Sequence, residues 1–362
     1  GTLNSAMGDP VVLSLQYPGD VWTKQATLQL KGNVDGWNFL CSQKDNDGND
    51  GVWNAINCPL SGSTISLTNL IPATGYTYQF TKKDVEGDIV GASNQLSIET
   101  EAELQIPNSD FETWSEKFVW KGTGKPGSID IYTFYPYEDS DLDPWWSTQN
   151  DLTTAKAGIY SYYYVAYPGT TYVNSSWSAS TRMKLSTSPI NGSYSAEIAT
   201  IGWGEGSTCT TGLPWGGLSC NKKTSSTLYI GKYDISTGEV HGHTFASRPT
   251  QMTFNYRFYS YNGEAASASI QIEHREGDNI VNLGNGYMNL STTNTDKATL
   301  NISYSNEELQ PTHISIVFLS STSSSPAIKE YSGEINTWSG NADTRGIGNV
   351  LVIDDVHLEY AK

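Results

Sequence analysis

Charge is scarce in this 362-residue chain, and most of what exists has one sign: charged residues make up 16%, with 21 Lys and Arg against 38 Asp and Glu. The net charge of −17 repels a phosphate backbone, and no local cluster of basic residues offsets it. A nucleic-acid partner is therefore not expected and anionic membrane surfaces are disfavoured, while neutral ligands and cations remain. No apolar run approaches the roughly eighteen residues that a membrane span requires. The polar start "GTLNSAMGDP" is neither a signal peptide nor an initiator-Met start, and a leading Gly reads as a trimmed end. On that reading any export signal or lipid anchor of a native precursor is expected to lie outside this sequence. No useful helical periodicity occurs either. The motifs G-x-S-x-G, H-E-x-x-H and the P-loop are absent, as is the E-x-D-x-x-E strand motif of jelly-roll glucanases.

Only four cysteines are present, in two close pairs, Cys41 with Cys58 and Cys209 with Cys220, and neither pair has C-x-x-C metal spacing. Two local disulfides are expected, each of a loop size at which cross-linking stabilises by about 3 kcal/mol. They imply an extracytoplasmic setting; four free thiols are the alternative.

What the chain has in abundance is aromatic: 22 Tyr and 11 Trp among residues otherwise rich in Ser, Thr, Asn and Gly. This is the composition of a β-rich, turn-rich protein with more rings than its core needs. The length predicts two domains. Residues 1–9 read as a disordered tail, 10–102 as a first sandwich and 103–362 as a larger one, with the boundary near Ala102 to Gln105 at the acidic "SIETEAELQIP". In the first, "TLQLKG" (Thr27 to Gly32) alternates, and "STISLTNLIPATGYTYQF" (Ser63 to Phe80) gives two strands around a Pro bend. Trp22, Trp37 and Trp53 are assigned mostly to its core. "DNDGNDG" (Asp45 to Gly51) has the first three ligand spacings of a calcium loop, but its sixth position is Asp50 and its twelfth Ile56, so it is a hairpin turn.

In the second, "QMTFNYRFYSY" puts Met252, Phe254, Tyr256 and Phe258 on one face and Asn255, Arg257, Tyr259 and Tyr261 on the other. "ASIQIEHRE" alternates likewise. "HISIVFL" (His313 to Leu319) reads as a central strand covered on both sides, and "NVLVIDDVHLEY" (Asn349 to Tyr360) as the closing strand. An all-β chain follows, its second part a large antiparallel jelly-roll sandwich.

Two resemblances follow from particular residues. Leu70, Pro72, Thr74, Tyr76 and Tyr78 resemble the tyrosine corner of fibronectin type III and immunoglobulin-like domains. The blocks "IPNSDFETW", "WWSTQN", "YSAEIAT", "LYIGKYDI", "SRPTQMTFNYRF" and "VLVIDDVHLEY", in that order, resemble the PCMD family, named for carbohydrate metabolism and found on surface proteins of glycan-foraging Gram-negative bacteria. The resemblance implies a jelly roll in the periplasm or on the outer-membrane surface and a glycan partner, with no assigned reaction. The opening and closing blocks are also similar to jelly-roll carbohydrate-binding modules. These often hold a structural calcium between first and last strands, here implying Asp110, Glu112, Asp354 and Asp355 as ligands, with hydrogen-bonded strand-end acids as the alternative. No cofactor is required.

A saccharide offers an apolar C–H face and a rim of hydroxyls, so its site needs flat rings beside amides and carboxylates. "DLDPWWSTQND" supplies both around Trp145 and Trp146. Neighbouring side chains on a strand point to opposite faces, so one core takes only one of the two rings. The other is an outward platform, or both are buried on opposite sides of packed loops. Trp203 and Trp215 sit in Gly-rich loops bracketing Cys209 and Cys220, and with Arg257, Tyr259 and Tyr261 they complete the candidate ligand-binding set. "SYYYVAYPGTTY" (Ser161 to Tyr172) adds further tyrosines. Glu138, Asp139, Asp141 and Asp143 form a solvated loop or flank a ligand. His241 and His243 would share a strand face but have no third metal ligand nearby in sequence, and Glu197, Glu205 and Glu273 are candidates for catalysis without a recognisable motif around them.

The reading is a non-catalytic extracytoplasmic carbohydrate-binding protein. A surface protein that adheres to another protein is the second reading, and a glycoside hydrolase with two facing carboxylates about 5–10 Å apart is the third.

Overall fold

The computed structural model describes residues 10–124, 127–154, 171–175, 189–203, 222–233, 240–328 and 347–362. Of 119–124, 127–132, 153–154, 171–175, 202–203, 222, 232–233, 240–241 and 347 the backbone alone is described. The chain is all-β, with 52% strand and 2% helix. Its strand pairs are antiparallel, and among the described residues no helix is long and apolar enough to cross a membrane.

Residues 10–99 form two sheets around one buried cluster. The first carries Val12–Ser14, Ala26–Lys31, Thr64–Leu67 and Leu60–Ser61 in that order, and the second is built on Asn38–Gln43 and Gly75–Lys83. Strict alternation supplies the cluster: Ala26, Leu28 and Leu30 point inward from one sheet, and Phe39, Tyr76, Tyr78 and Phe80 contribute from the other. The Tyr76 hydroxyl accepts a hydrogen bond from Ile71 N at 2.9 Å, closing the Pro72 bend. "DNDGNDG" is a turn in which Asp45 Oδ1 accepts from Asp47 N and Asn49 N. Cys41 and Cys58 are free and half-buried, so the disulfide expected between them is not formed. Both thiols pack against the apolar cluster, and burial pushes both up from the ordinary thiol range. Cys209 and Cys220 lie outside the described residues.

Beyond residue 105 a seven-stranded and a six-stranded sheet enclose the second cluster. The seven-stranded sheet runs Trp146–Thr148, Thr227–Ile230, His313–Leu319, Ala266–Glu276, Asn279–Leu290 and Ser303–Tyr304, with His243–Thr244 also paired to His313–Leu319. The six-stranded sheet runs Thr171–Ser175, Tyr194–Trp203, Ile347–Glu359, Gln251–Tyr259 and Thr293–Asn301, with Lys222–Thr224 beside Tyr194–Trp203. Met252, Phe254, Tyr256 and Phe258 face Ile270, Ile272, Ile314, Ile316 and Phe318 across the core. His313–Leu319 is not covered on both sides. Its burial alternates, because His313 and Ser315 interrupt the apolar run on the outer face. Burial on both faces is found instead in the closing strand, where Val350, Leu351, Val352 and Ile353 are all buried, and in Thr227–Ile230, buried at every position.

The last strand also ties back to the segment that opens this second sandwich. Gln105 pairs its side-chain amide with Leu358 O at 2.7 Å and Leu358 N at 2.9 Å, extending the ladder without a strand. A bulge places Asp355 at φ 48°, and Asp354 turns inward, 1% exposed. Asp354 Oδ2 accepts from Asn191 N at 3.0 Å and Ser195 Oγ at 2.6 Å.

Between the two sandwiches lies a buried ion pair. Arg248 is fully buried and donates to Gly19 O at 2.9 Å, Val21 O at 2.6 Å and Glu101 Oε1 at 2.8 Å. Its guanidinium lies 3.9 Å from the centroid of Trp22, whose ring meets Tyr304 edge-on at 5.0 Å. Trp22 therefore belongs to the junction, not to the first core. Gly19 N donates to Glu308 O at 2.8 Å, and a Cβ at Gly19 would collide with the Glu307 carbonyl.

Removing one partner of a buried pair typically costs about 3–5 kcal/mol, because the other charge is stranded. Arg248→Met is expected to lower unfolding stability by that order in a urea titration, and adding Glu101→Gln to recover part of it; an unchanged midpoint in the single variant contradicts the account. Burial pushes the Asp354 carboxyl up to about 6. A folded pKa above the unfolded value favours the protonated form in the fold, so this group's contribution is complete below about pH 4 and lost as pH rises through about 6. Between pH 7 and pH 5 the Tm of the wild type should gain on that of Asp354→Asn, measured side by side; parallel curves would refute it.

Candidate ligand-binding site

The site grows from a turn, Pro107 to Thr113, held in shape by one amide. Asn108, at φ 48°, donates through Nδ2 to Thr113 O at 3.0 Å and Pro136 O at 2.9 Å, while its Oδ1 accepts from Thr113 N at 2.9 Å. This amide fixes the turn against the end of strand Gly127–Tyr135. The next segment folds on itself: Asp141 N donates to Glu138 O at 2.9 Å, and Asp143 N to Asp141 Oδ1 at 3.1 Å. The chain then enters the short strand Trp146–Thr148.

Trp146 is 1% exposed. Its ring packs against Phe111 at 4.9 Å and Phe318 at 6.3 Å, and its Nε1 donates to Pro107 O at 3.1 Å. It is a core residue, which removes it as a platform. Trp145 is half-buried and fixed through its backbone, which accepts from Gly231 N at 2.9 Å. Its ring stacks on His243 with centroids 3.8 Å apart and planes 17° from parallel, and Phe245 meets it edge-on at 6.4 Å. The outcome lies between the two readings of the sequence: one ring is in the core and the other is a partly covered wall.

That wall belongs to a pocket of about 230 Å³ lined by Pro107, Asn108, Thr113, Pro136, Tyr137, Glu138, Asp141, Trp145 and Trp146. Cavities for whole small ligands run from about 300 to 1,000 Å³, so this one suits a single ring of a larger molecule. Tyr137 lies 5.6 Å from Tyr135, and burial first, then Asp151, Asp139 and Asp141, push its hydroxyl up to about 12. It is therefore a neutral hydrogen-bonding group at any ordinary pH. Glu138 and Asp141 are exposed and supply acceptors. The lining contains no Lys or Arg. Two flat rings beside carboxylates can hold an apolar face and accept hydrogen bonds from hydroxyls on its rim.

The other predicted residues are elsewhere. Arg257 and Tyr259 face away from the core on the six-stranded sheet, with Arg257 Nε donating to Asn294 O at 2.8 Å and Tyr259 45% exposed. Tyr261, just past that strand, is 36% exposed, and its N donates to Asn349 Oδ1 at 2.6 Å. These three do not join the Trp145 pocket. Trp215, Glu205, Tyr162, Tyr163, Tyr164 and Tyr167 lie outside the described residues, as do the side chains of Trp203 and Tyr172.

Three of the four acids named for calcium gather around one loop. Glu112 Oε1 accepts from Ser193 N at 2.8 Å and Tyr194 N at 3.2 Å, Asp354 accepts from Asn191 N, and Asp355 Oδ2 accepts from Asn191 Nδ2 and, at 2.9 Å, from Asn255 Nδ2. Asp110 is exposed. Among the described residues, the group whose ligand atoms lie within 4.8 Å of one another is instead Asp84, Glu86 and Asp88, an exposed turn. Asp84 Oδ1 is itself engaged by Glu86 N and Asp88 N. His241 and His243 do not share a strand: His241 pairs with Lys232 in a two-stranded ribbon, whereas His243 pairs with Ile314. A Cβ on the intervening Gly242 would collide with the Ile314 carbonyl, so the chain crosses there at close range. Glu273 is committed to Arg275, at 2.7 Å from its Nε.

Sequence reasoning missed Asn108, Tyr137 and the packing of His243 on Trp145. Asn108 stood inside a quoted block, but only the fold shows that its amide joins two segments.

No family model and no curated protein matches the chain. Among solved structures it is similar to a carbohydrate-binding module of the β-sandwich superfamily, studied for promiscuous specificity, at 11% identity and a TM-score of 0.28, over 97% of this chain and 98% of that one. A second is the non-crystalline-cellulose-specific module CBM28, at 10% identity and TM-score 0.24, over 52% and 87% of the two chains. A third is the CBM22-1–CBM22-2 tandem of Paenibacillus barcinonensis Xyn10C, at 10% identity and TM-score 0.24, over 96% and 76%. At these scores the likeness is too slight to bear on the ligand.

Proposed function

We propose that this chain is a non-catalytic, extracytoplasmic glycan-binding protein of PCMD type that seats one sugar ring of a longer saccharide against Trp145. The observation that carries the reading is the Trp145 ring itself, fixed from behind by His243 and forming one wall of a pocket that also presents Tyr137, Glu138 and Asp141. A pyranose laid on the indole would bury its C–H face and direct its hydroxyls to the carboxylate rim. Because that rim is acidic and has no cation, neutral saccharides fit better than uronic or sulfated ones.

Adhesion to a protein is the second reading, and one observation favours it. Val85, Ile89 and Val90 are more than half exposed along a hairpin whose edge strand is Ile89–Ala92, an apolar surface unrelated to the pocket.

A glycan-array screen of the whole chain tests the first reading. Binding to neutral oligosaccharides is expected, weakened about tenfold or more in Trp145→Ala, the loss of about 1.4 kcal/mol of ring contact. Tyr259→Ala should bind as the wild type does, with circular dichroism confirming that both variants are folded. An empty array overturns the glycan reading, and loss in Tyr259→Ala alone moves the site to the six-stranded sheet.

A further inference from the structure

The lining of the Trp145 pocket is rich in groups that accept hydrogen bonds and poor in groups free to donate them. Pro107 and Pro136 have no N–H. Both amide hydrogens of Asn108 are engaged, by Thr113 O and Pro136 O, and the Trp146 Nε1 hydrogen is engaged by Pro107 O. The side-chain donors that remain in the lining are the hydroxyls of Thr113 and Tyr137 and the Nε1 of Trp145.

Acceptors are more numerous. Glu138 is exposed and presents both carboxylate oxygens, while Asp141 gives Oδ1 to Asp143 N and keeps Oδ2. Among the described residues neither acid takes part in an ion pair, and the lining holds no Lys or Arg. Burial first, then Asp151, Asp139 and Asp141, hold the proton on the Tyr137 hydroxyl, so the negative field of this segment is felt at the pocket wall.

A sugar hydroxyl matches such a lining only in part. It donates once and brings two lone pairs, for which few donors remain. An ammonium group donates three times, accepts nothing, and carries the charge that the rim lacks. The aromatic walls act in the same direction, because a cation is drawn to the face of an indole or phenol ring.

We infer that the sugar ring seated on Trp145 carries a free amine: the preferred ligand is a saccharide with unacylated amino sugar units, its ammonium group directed to Glu138 and Asp141. This deepens the glycan reading and rests on it. Neutral saccharides still bind through the indole, and the amine adds to that contact. Acetylation removes the charge and two of the three donors, so N-acetylated units bind as neutral ones do. A lysine side chain offers the same ammonium, but the flat wall of Trp145 suits the C–H face of a sugar ring better than a flexible stem.

Three tetrasaccharides with the same linkage and different groups at one carbon test this: the β-1,4 tetramers of glucosamine, N-acetylglucosamine and glucose. Affinities are measured by calorimetry on the whole chain at about pH 6, where an aliphatic amine carries its proton. The glucosamine tetramer should bind about tenfold more tightly than the other two, the combined effect of a ring–cation contact and an exposed ion pair. Trp145→Ala should weaken the glucosamine tetramer about tenfold or more. In Glu138→Gln with Asp141→Asn, the lead of glucosamine over glucose should fall to about one. In Glu86→Gln with Asp88→Asn, which removes the same two charges from a turn of the first sandwich, the lead should persist. Circular dichroism checks that each variant is folded. A lead lost equally in both double variants is general attraction to an acidic protein and overturns the inference. So does a glucosamine tetramer that binds no better than the glucose tetramer; in that case the glycan reading stands on the neutral binding. No binding by any of the three overturns the inference and leaves the glycan reading to the array. Tetralysine that binds as tightly as the glucosamine tetramer, and is lost in Trp145→Ala, gives the pocket to a protein ligand and overturns the saccharide.

Discussion

The ring of Trp146, packed between Phe111 and Phe318 with its Nε1 on the Pro107 carbonyl, anchors the strand that carries it, and extended backbone then sends Trp145 the other way. Every other feature of the site depends on that division. Because Trp146 is locked, Trp145 has a defined position, and because Trp145 has a defined position, His243 and Phe245 can cover one side of it while the turn at Asn108 shapes the other. A ring packed this way is held in place without a ligand, which would reduce the ordering cost of the binding proposed for it.

A second constraint acts at larger scale. Arg248 has no solvent contact, and its partners come from two separate stretches of the first sandwich, Gly19 and Val21 in one and Glu101 in the other. Lys24 adds a bond from its Nζ to the Tyr360 carbonyl at 2.6 Å. A fully desolvated guanidinium requires all of these acceptors at once, so polar geometry fixes how the two sandwiches dock at this point. The first sandwich is thus joined to the second by more than its linker.

Much of the fold was legible in the sequence because alternation of period two is a direct image of a sheet with one face inside. Gln251–Tyr259 is the clearest case, its four apolar residues all buried. The same rule failed on His313–Leu319, where a predominantly apolar composition hid the polar positions His313 and Ser315 on one face. It also failed on Trp22, since no local pattern announces that a ring will lie under an arginine more than two hundred residues away. The site was legible only in part. The pair Trp145 and Trp146 stood out as an excess of apolar surface in a polar run, yet which ring is buried depends on the pairing of Trp146 with Ile230. The acids at both ends of the second sandwich do meet, as Glu112, Asp354 and Asp355 around residues 191–195, but the partners of their oxygens are mostly backbone N–H groups that a sequence does not display. Cys41 and Cys58 are near in sequence and still not joined, because spacing says nothing about whether two thiols point at each other.

The most direct test of the central claim is a crystal structure of the chain with a bound neutral oligosaccharide. The account predicts a sugar ring in van der Waals contact with Trp145 on the side away from His243, its hydroxyls toward Glu138 and Asp141, with Trp146 undisturbed in the core. A sugar seated instead on Tyr259 and Tyr261, with the Trp145 pocket empty, would contradict it.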